Sequence, residues 1–168
     1  MHIPGGYLSG QTCWVTNLIS GGIILSFLAK FKILKDTKKI VYYSLIAALI
    51  FALQMLNFPI ASGTSGHFLG GCLAYLAAGP FIGTLIITVV LAIQSIFFND
   101  GSILTLGANV FVMGVIGVWI PFLIHKLFPN NNKVLIISIS AWFSVVISAM
   151  VCSGLIAIGG TIPFLKSL

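Results

Sequence analysis

The sequence predicts an all-α integral membrane protein: a bundle of about six transmembrane helices, with the N-terminus outside and folded back into the bundle. Three observations carry this. Of 168 residues, 59% are apolar and only 6% charged, where a soluble domain carries about a quarter charged residues. So few polar groups cannot coat a water-facing globule. The apolar residues form long continuous runs and do not alternate, which favours helices over a barrel. The excess charge is all lysine, and most of it gathers in connections between the runs.

The chain reads as a single domain, 1–168, multi-pass in the inner (plasma) membrane. Residues 1–11 form a Gly-rich leader, 12–158 the helical bundle and 159–168 a tail. Met1-His-Ile-Pro lacks the basic start of a cleavable signal, so none is expected. Residues 13–29 and 40–58 are apolar enough to span. Between them, Lys30 to Lys39 holds five of the eight lysines. Residues 66–98 are apolar except for Gly79-Pro80. As one helix they would reach about 50 Å, against a hydrocarbon core of about 30 Å. Asn99-Asp100-Gly101-Ser102 is a turn signal. Residues 104–124 and 134–158 complete the runs.

Lysine placement decides whether 66–98 crosses once or twice. The 30–39 loop belongs on the cytoplasmic side by the positive-inside rule. A turn at Gly79-Pro80 puts Lys126 and Lys133 there too, leaving seven of eight lysines inside. Two crossings are therefore expected, the third span (66–79) being short at about 21 Å. In this span Gly66, Gly70, Ala74 and Ala78 recur every four residues, a small-residue stripe for close helix packing.

Net charge of +6 could suggest nucleic acid, but the lysines form no patch with aromatics, and no nucleic-acid partner is expected. Cys13, Cys72 and Cys152 are scattered through apolar runs and read as small buried hydrophobes. No Gly-x-x-x-x-Gly-Lys-[Ser/Thr] loop is present, so ATP hydrolysis by that route would need another subunit. Gly63-Thr-Ser-Gly66 matches the motif of rhomboid-type intramembrane proteases, but Ser65 needs a histidine base within reach. His67 is two residues away, and His125 falls on the opposite face. No enzyme activity is expected.

With six spans, Gln54, Asn57, Ser62, Thr64, Ser65, His67, Gln94, Asn99 and Asn109 all fall near the outer face. Polar groups at membrane depth cost free energy unless partnered and tend to mark sites. His67 reads as the opening residue of the third span, among glycines. His2 sits at the other end of the argument, beside the terminal amine of Met1. The amine and the residue-2 amide nitrogen close a five-membered chelate ring; the amide and His2 Nδ1 close a six-membered one. The His67 imidazole would complete four nitrogens in a plane. That donor set suits Ni(II), Cu(II) and, less strictly, Co(II), not Mg(II) or Ca(II). The amide must lose its proton, so binding should strengthen as pH rises. Pro4, Gly5 and Gly6 would turn the leader back. Met1, His2 and His67 are thus the candidate metal ligands, with Ser65, Thr64, Gln94 and Asn109 as candidates for holding them in place. Simple helix-end hydrogen bonding for His67, and an accidental position for His2, remain open at this point.

Met1-His-Ile-Pro-Gly-Gly-Tyr-Leu resembles the start of the CbiM/NikM proteins, substrate-specific S components of energy-coupling factor (ECF) transporters for cobalt and nickel. Ser62 to Gly71, Gln94 to Gly101 and Leu106-Gly-Ala-Asn-Val-Phe111 resemble that family's further signatures. The resemblance implies an S-component bundle that takes up Ni(II) or Co(II) through Met1, His2 and His67. It implies a transmembrane T component and ATPase subunits as partners, with a small accessory membrane protein in some systems. Gly5 stands where the family usually has an acidic residue. Family members usually carry another helix after a segment like Ser153–Leu168, which leaves a compact, a truncated and a degenerate member as open readings. An S component for an organic micronutrient and an assembly subunit that has lost transport are the alternative readings.

Overall fold

A computed structural model of the chain describes residues 2–30, 36–59, 65–129 and 132–159. Its helices are α1 (Gly10–Lys30), α2 (Thr37–Met55), α3 (Gly71–Phe97), α4 (Leu106–Asn109), α5 (Gly117–Leu127) and α6 (Lys133–Gly159). A π-helical segment, Val110–Ile116, joins α4 to α5. Two short strands, β1 (Phe58–Pro59) and β2 (Ser65–Gly66), pair antiparallel. Five helical stretches are long and apolar enough to cross a membrane. Large apolar side chains such as Trp14, Leu18, Leu45, Trp142 and Met150 remain exposed on the bundle surface, as lipid-facing residues must. This is an all-α, multi-pass membrane protein.

Helix ends follow local chemistry. Asp36 accepts from the Lys38 and Lys39 backbone N–H groups at the start of α2. Asn132 accepts from Val134 and Leu135 at the start of α6. Such caps satisfy N–H groups that have no partner within the helix.

The element α3 is two helices. Gly79 has φ 76° and ψ 176°, a conformation that L side chains rarely adopt, and Pro80 removes the next N–H. An unbroken helix would place Ala74 and Gly83 about 13 Å apart. Instead, a Cβ on Gly83 would come within 3.0 Å of the Ala74 carbonyl. The chain therefore folds back at Gly79, as the sequence predicts. A second contact joins the two ends of the bundle. The Ser9 N–H donates to the Gly159 carbonyl at 2.7 Å, so the start of α1 and the end of α6 lie at one face. Counting both arms of α3 separately gives about six helical segments, where five helices are long and apolar enough to cross a membrane.

The third crossing differs from expectation. Its helix begins at Gly71, not at residue 66. Residues 71–78 rise only about 12 Å as helix. His67 consequently lies four residues ahead of the helix and does not open it. The Gly66–Gly70–Ala74–Ala78 stripe is likewise not one helix face, since Gly66 and Gly70 are not helical. Its small residues still matter. A Cβ on Gly70 would sit 2.6 Å from Ile50, and one on Gly71 would run into the Gly117 carbonyl.

The π segment and Pro121 disturb the ladder of α5, and hydroxyls from neighbouring helices bond the affected carbonyls. Ser144 donates to Gly117 O at 2.7 Å, Ser148 to Val112 O at 3.0 Å and Thr84 to Gly114 O at 3.1 Å. In lipid no water is available for this task. The spacing Ser140, Ser144, Ser148, Cys152, Ile156 places one buried face of α6 against this seam.

Candidate metal centre

The leader is held by its backbone. Asn109 Oδ1 accepts from Ile3 N–H at 2.8 Å, and Asn109 Nδ2 donates to Ile3 O at 3.3 Å. The Thr105 hydroxyl donates to the same carbonyl at 2.7 Å. A carboxamide gripping both groups of one peptide unit copies the pairing of a neighbouring strand. Ile3 is fully buried, so this segment is anchored by apolar burial as well. His2, 4% exposed, is thereby delivered to the end of the bundle away from Lys126 and Lys133.

There the His2 ring stacks on His67, with centroids 4.6 Å apart and an interplanar angle of 24°. His2 Nε2 lies 3.2 Å from Gln94 Oε1. Gln94 is completely buried, and its carbonyl oxygen accepts the Nε2 proton. That leaves Nδ1 as the nitrogen with a lone pair. His67 Nδ1 lies 2.9 Å from the Phe68 carbonyl and donates to it, which leaves Nε2 as the lone-pair nitrogen of that ring. Burial pushes the His67 imidazole down to about 4, so it is neutral at physiological pH, the state in which imidazole binds metals.

Asp100 completes the cluster. Its Oδ1 stands 3.2 Å from His2 Nδ1. The pair lies outside hydrogen-bond alignment, since Nδ1 has no hydrogen-bond partner. Among the described residues, the buried side-chain N and O atoms without a hydrogen bond are His2 Nδ1, His67 Nε2, Gln94 Nε2, Asp100 Oδ2 and Gln54 Oε1. All but the last belong to this one cluster. Buried polar atoms are normally satisfied, so a concentration of such atoms at one point marks a place for an ion or a polar ligand.

The sequence-predicted residues distribute as follows. His2, His67 and Gln94 come together. Asn109 acts one step back, on Ile3 and not on either imidazole. Ser65 takes part through its backbone pairing with Pro59. Met1 and Thr64 lie outside the described residues. His125 is at the other end of the bundle, with Nδ1 3.0 Å from the Tyr75 hydroxyl. Gly5 packs on Ser102, whose Oγ would be 3.3 Å from a Cβ there. Among the described residues no three His, Cys, Asp or Glu side chains form a metal cage, so the two imidazoles would need main-chain donors to complete a coordination sphere.

Sequence reasoning missed Asp100 and Thr105, and gave Gln54 no role beyond a polar position near the outer face. Gln54 donates to Leu69 O at 2.7 Å and so steadies the segment that carries His67. Asp100 was absorbed into a turn signal, and its neighbour Gly101 (φ 83°) does make that turn. A Cβ on Gly101 would lie 3.0 Å from Asn109 Nδ2 and 3.7 Å from the His2 ring, so the turn packs directly on the site.

Comparison with known proteins sets this arrangement in a family. The family model described as the CbiM cobalt uptake substrate-specific transmembrane region matches residues 2–168. The chain belongs to the CbiM family. The fused nickel transport protein NikMN of Rhodobacter capsulatus is 36% identical over 129 residues, 76% of this chain and 37% of its own length. The cobalt transport protein CbiM of Clostridium tetani is 34% identical over 143 residues, 84% of this chain and 59% of its own. A crystal structure described as a truncated transition metal transporter superposes with a TM-score of 0.91 at 28% identity, covering 99% of this chain and 85% of that one. This CbiM-family chain spans about half the length of several curated relatives it matches.

Proposed function

We propose that this CbiM-family chain is the membrane subunit that captures Ni(II) or Co(II) for an ATP-driven ECF-type transporter. The ion would be held by the Met1 amine, the residue-2 amide nitrogen, His2 Nδ1 and His67 Nε2. The observation that carries the proposal is the pair of lone-pair nitrogens. The six-membered chelate ring needs Nδ1 of residue 2, and Nδ1 is the nitrogen that the Gln94 bond leaves open. The partner ring likewise presents Nε2, because Nδ1 is committed to the Phe68 carbonyl. The ring separation supports the same reading. The two rings lie side by side in space, with centroids 4.6 Å apart.

Capture would then run as follows. The clamp of Asn109 and Thr105 fixes Ile3, which restricts the residue-2 nitrogen to a small volume and lowers the ordering cost of binding. The second ring comes from a non-helical segment fixed by Gln54. An ion replaces a proton at the amide and seats between two rings whose orientation is already set. The T component and ATPase subunits, joined in some systems by an accessory membrane protein, would drive release to the side bearing the lysines.

The test is metal analysis of purified protein. Wild type should carry about one Ni(II) or Co(II) per chain, and His67→Ala should carry none. Unchanged metal in His67→Ala removes His67 from the site. Cells holding the partner subunits should accumulate labelled nickel or cobalt. Bound metal without uptake would favour an assembly subunit, and an organic ligand retained without metal would favour a micronutrient S component.

A further inference from the structure

We propose that Asp100 is the counter-charge of the metal site and a determinant of its affinity, acting on the ion from outside the set of four nitrogen donors. The inference rests on the proposed capture of a divalent ion by His2 and His67. Its first support is geometric. His2 Nε2 faces Gln94 Oε1, which accepts a hydrogen bond from it, so the neutral ring presents its lone pair at Nδ1. Asp100 Oδ1 faces that lone pair at 3.2 Å with no hydrogen bond between them. Two electron-rich atoms held this close in a part-buried place repel unless positive charge stands beside them. Asp100 Oδ2 is buried without a hydrogen bond, so a carboxylate oxygen beside the two imidazoles is available to a cation.

The second support is arithmetic. A divalent ion bound to one deprotonated amide, one amine and two neutral imidazoles leaves a net charge of about +1 in a site sheltered from water, which is costly. One carboxylate closes the sum to zero. The whole sequence contains only two acidic residues. Asp36 caps α2 at the lysine end of the bundle, so Asp100 is the only carboxylate side chain at the histidine end. It is placed by a tight turn, Asn99 (φ 53°) to Gly101 (φ 83°), with the Asp100 N–H donating to Gln94 O at 3.1 Å. The residue that accepts the His2 proton and the residue that faces its lone pair are thus fixed to one another.

The experiment titrates the purified full chain with Ni(II) alone, comparing wild type, Asp100→Asn, Asp100→Glu and His67→Ala, and records the Ni(II) absorption band of each. Asp100→Asn should bind Ni(II) about 10- to 100-fold more weakly with its band unmoved, because the four donors are retained. Asp100→Glu should recover much of the loss, since it keeps the charge that an isosteric amide does not. Asp100→Ser serves as the neutral variant if Asp100→Asn does not fold. Wild-type affinity in the neutral variant overturns the inference, and so does a shifted band, which would make Asp100 a donor. If His67→Ala abolishes binding while Asp100→Asn is silent, only this inference fails. If His67→Ala binds like wild type, the capture proposal itself fails.

Discussion

Asn109 holds Ile3 at both ends of its peptide unit, accepting from its N–H at 2.8 Å and donating to its carbonyl at 3.3 Å. The grip converts the start of the chain into a fixed part of the bundle, and the order of the proposed metal site depends on it.

Asn109→Ala removes both bonds. At about 1 kcal/mol each, the loss should weaken Ni(II) binding about 30-fold. Calorimetric titration checks this, with melting temperature in detergent showing that the bundle itself survives.

Gln94→Ala should weaken binding by a route that leaves the leader in place. It strands the His2 Nε2 proton in a buried position and releases the choice of tautomer. An unsatisfied buried donor costs about 1–3 kcal/mol, equivalent to about 5- to 150-fold in affinity. Metal titration measures the loss, and nitrogen NMR of the His2 ring should show Nε2–H no longer favoured.

Gly71→Ala tests the packing of the third crossing. The new methyl meets the Gly117 carbonyl, and backbone yields less readily than a side chain. Overpacking costs about 1–3 kcal/mol, and the upper end is expected here. Gly154→Ala, where a Cβ meets nothing within 4 Å, should leave the melting temperature unchanged or raise it. Equal melting of the two variants would contradict the packing.

Ni(II) binding should strengthen as pH rises from about 6 to about 8, because the ion must displace a proton from the residue-2 amide. His67 contributes little to this slope. Its pKa of about 4 lies below the window, so it is already neutral throughout. Affinity measured across the window, with proton release read by a pH indicator, checks the sign.

Much of the fold was legible in the sequence because lipid leaves few options. Long apolar runs must be helices, and lysines choose the side. The hairpin at Gly79-Pro80 was legible for a local reason, since glycine permits the φ and proline forbids continuation. The start of the third helix was not. Phe68 and Leu69 are apolar, so the helical pattern runs back past Gly70 with nothing to stop it. The placement of those residues comes from tertiary contacts, Gly70 on Ile50 and Gln54 on Leu69 O. The site divides the same way. His2 and His67 are chemically conspicuous in a chain with three histidines. Thr105 and Asp100 are not, because an Asn-Asp-Gly sequence reads as a turn and a hydroxyl near a helix start reads as a cap. Only the fold brings them to the leader.

The central claim is that the first two residues and His67 hold one ion. It is tested most directly by adding a single residue ahead of Met1 and measuring Ni(II) bound per purified chain, together with its absorption spectrum. Displacement of the amine should abolish stoichiometric Ni(II) and its band while the melting temperature of the metal-free protein stays the same. Full occupancy with an unchanged band in the extended protein would contradict the account.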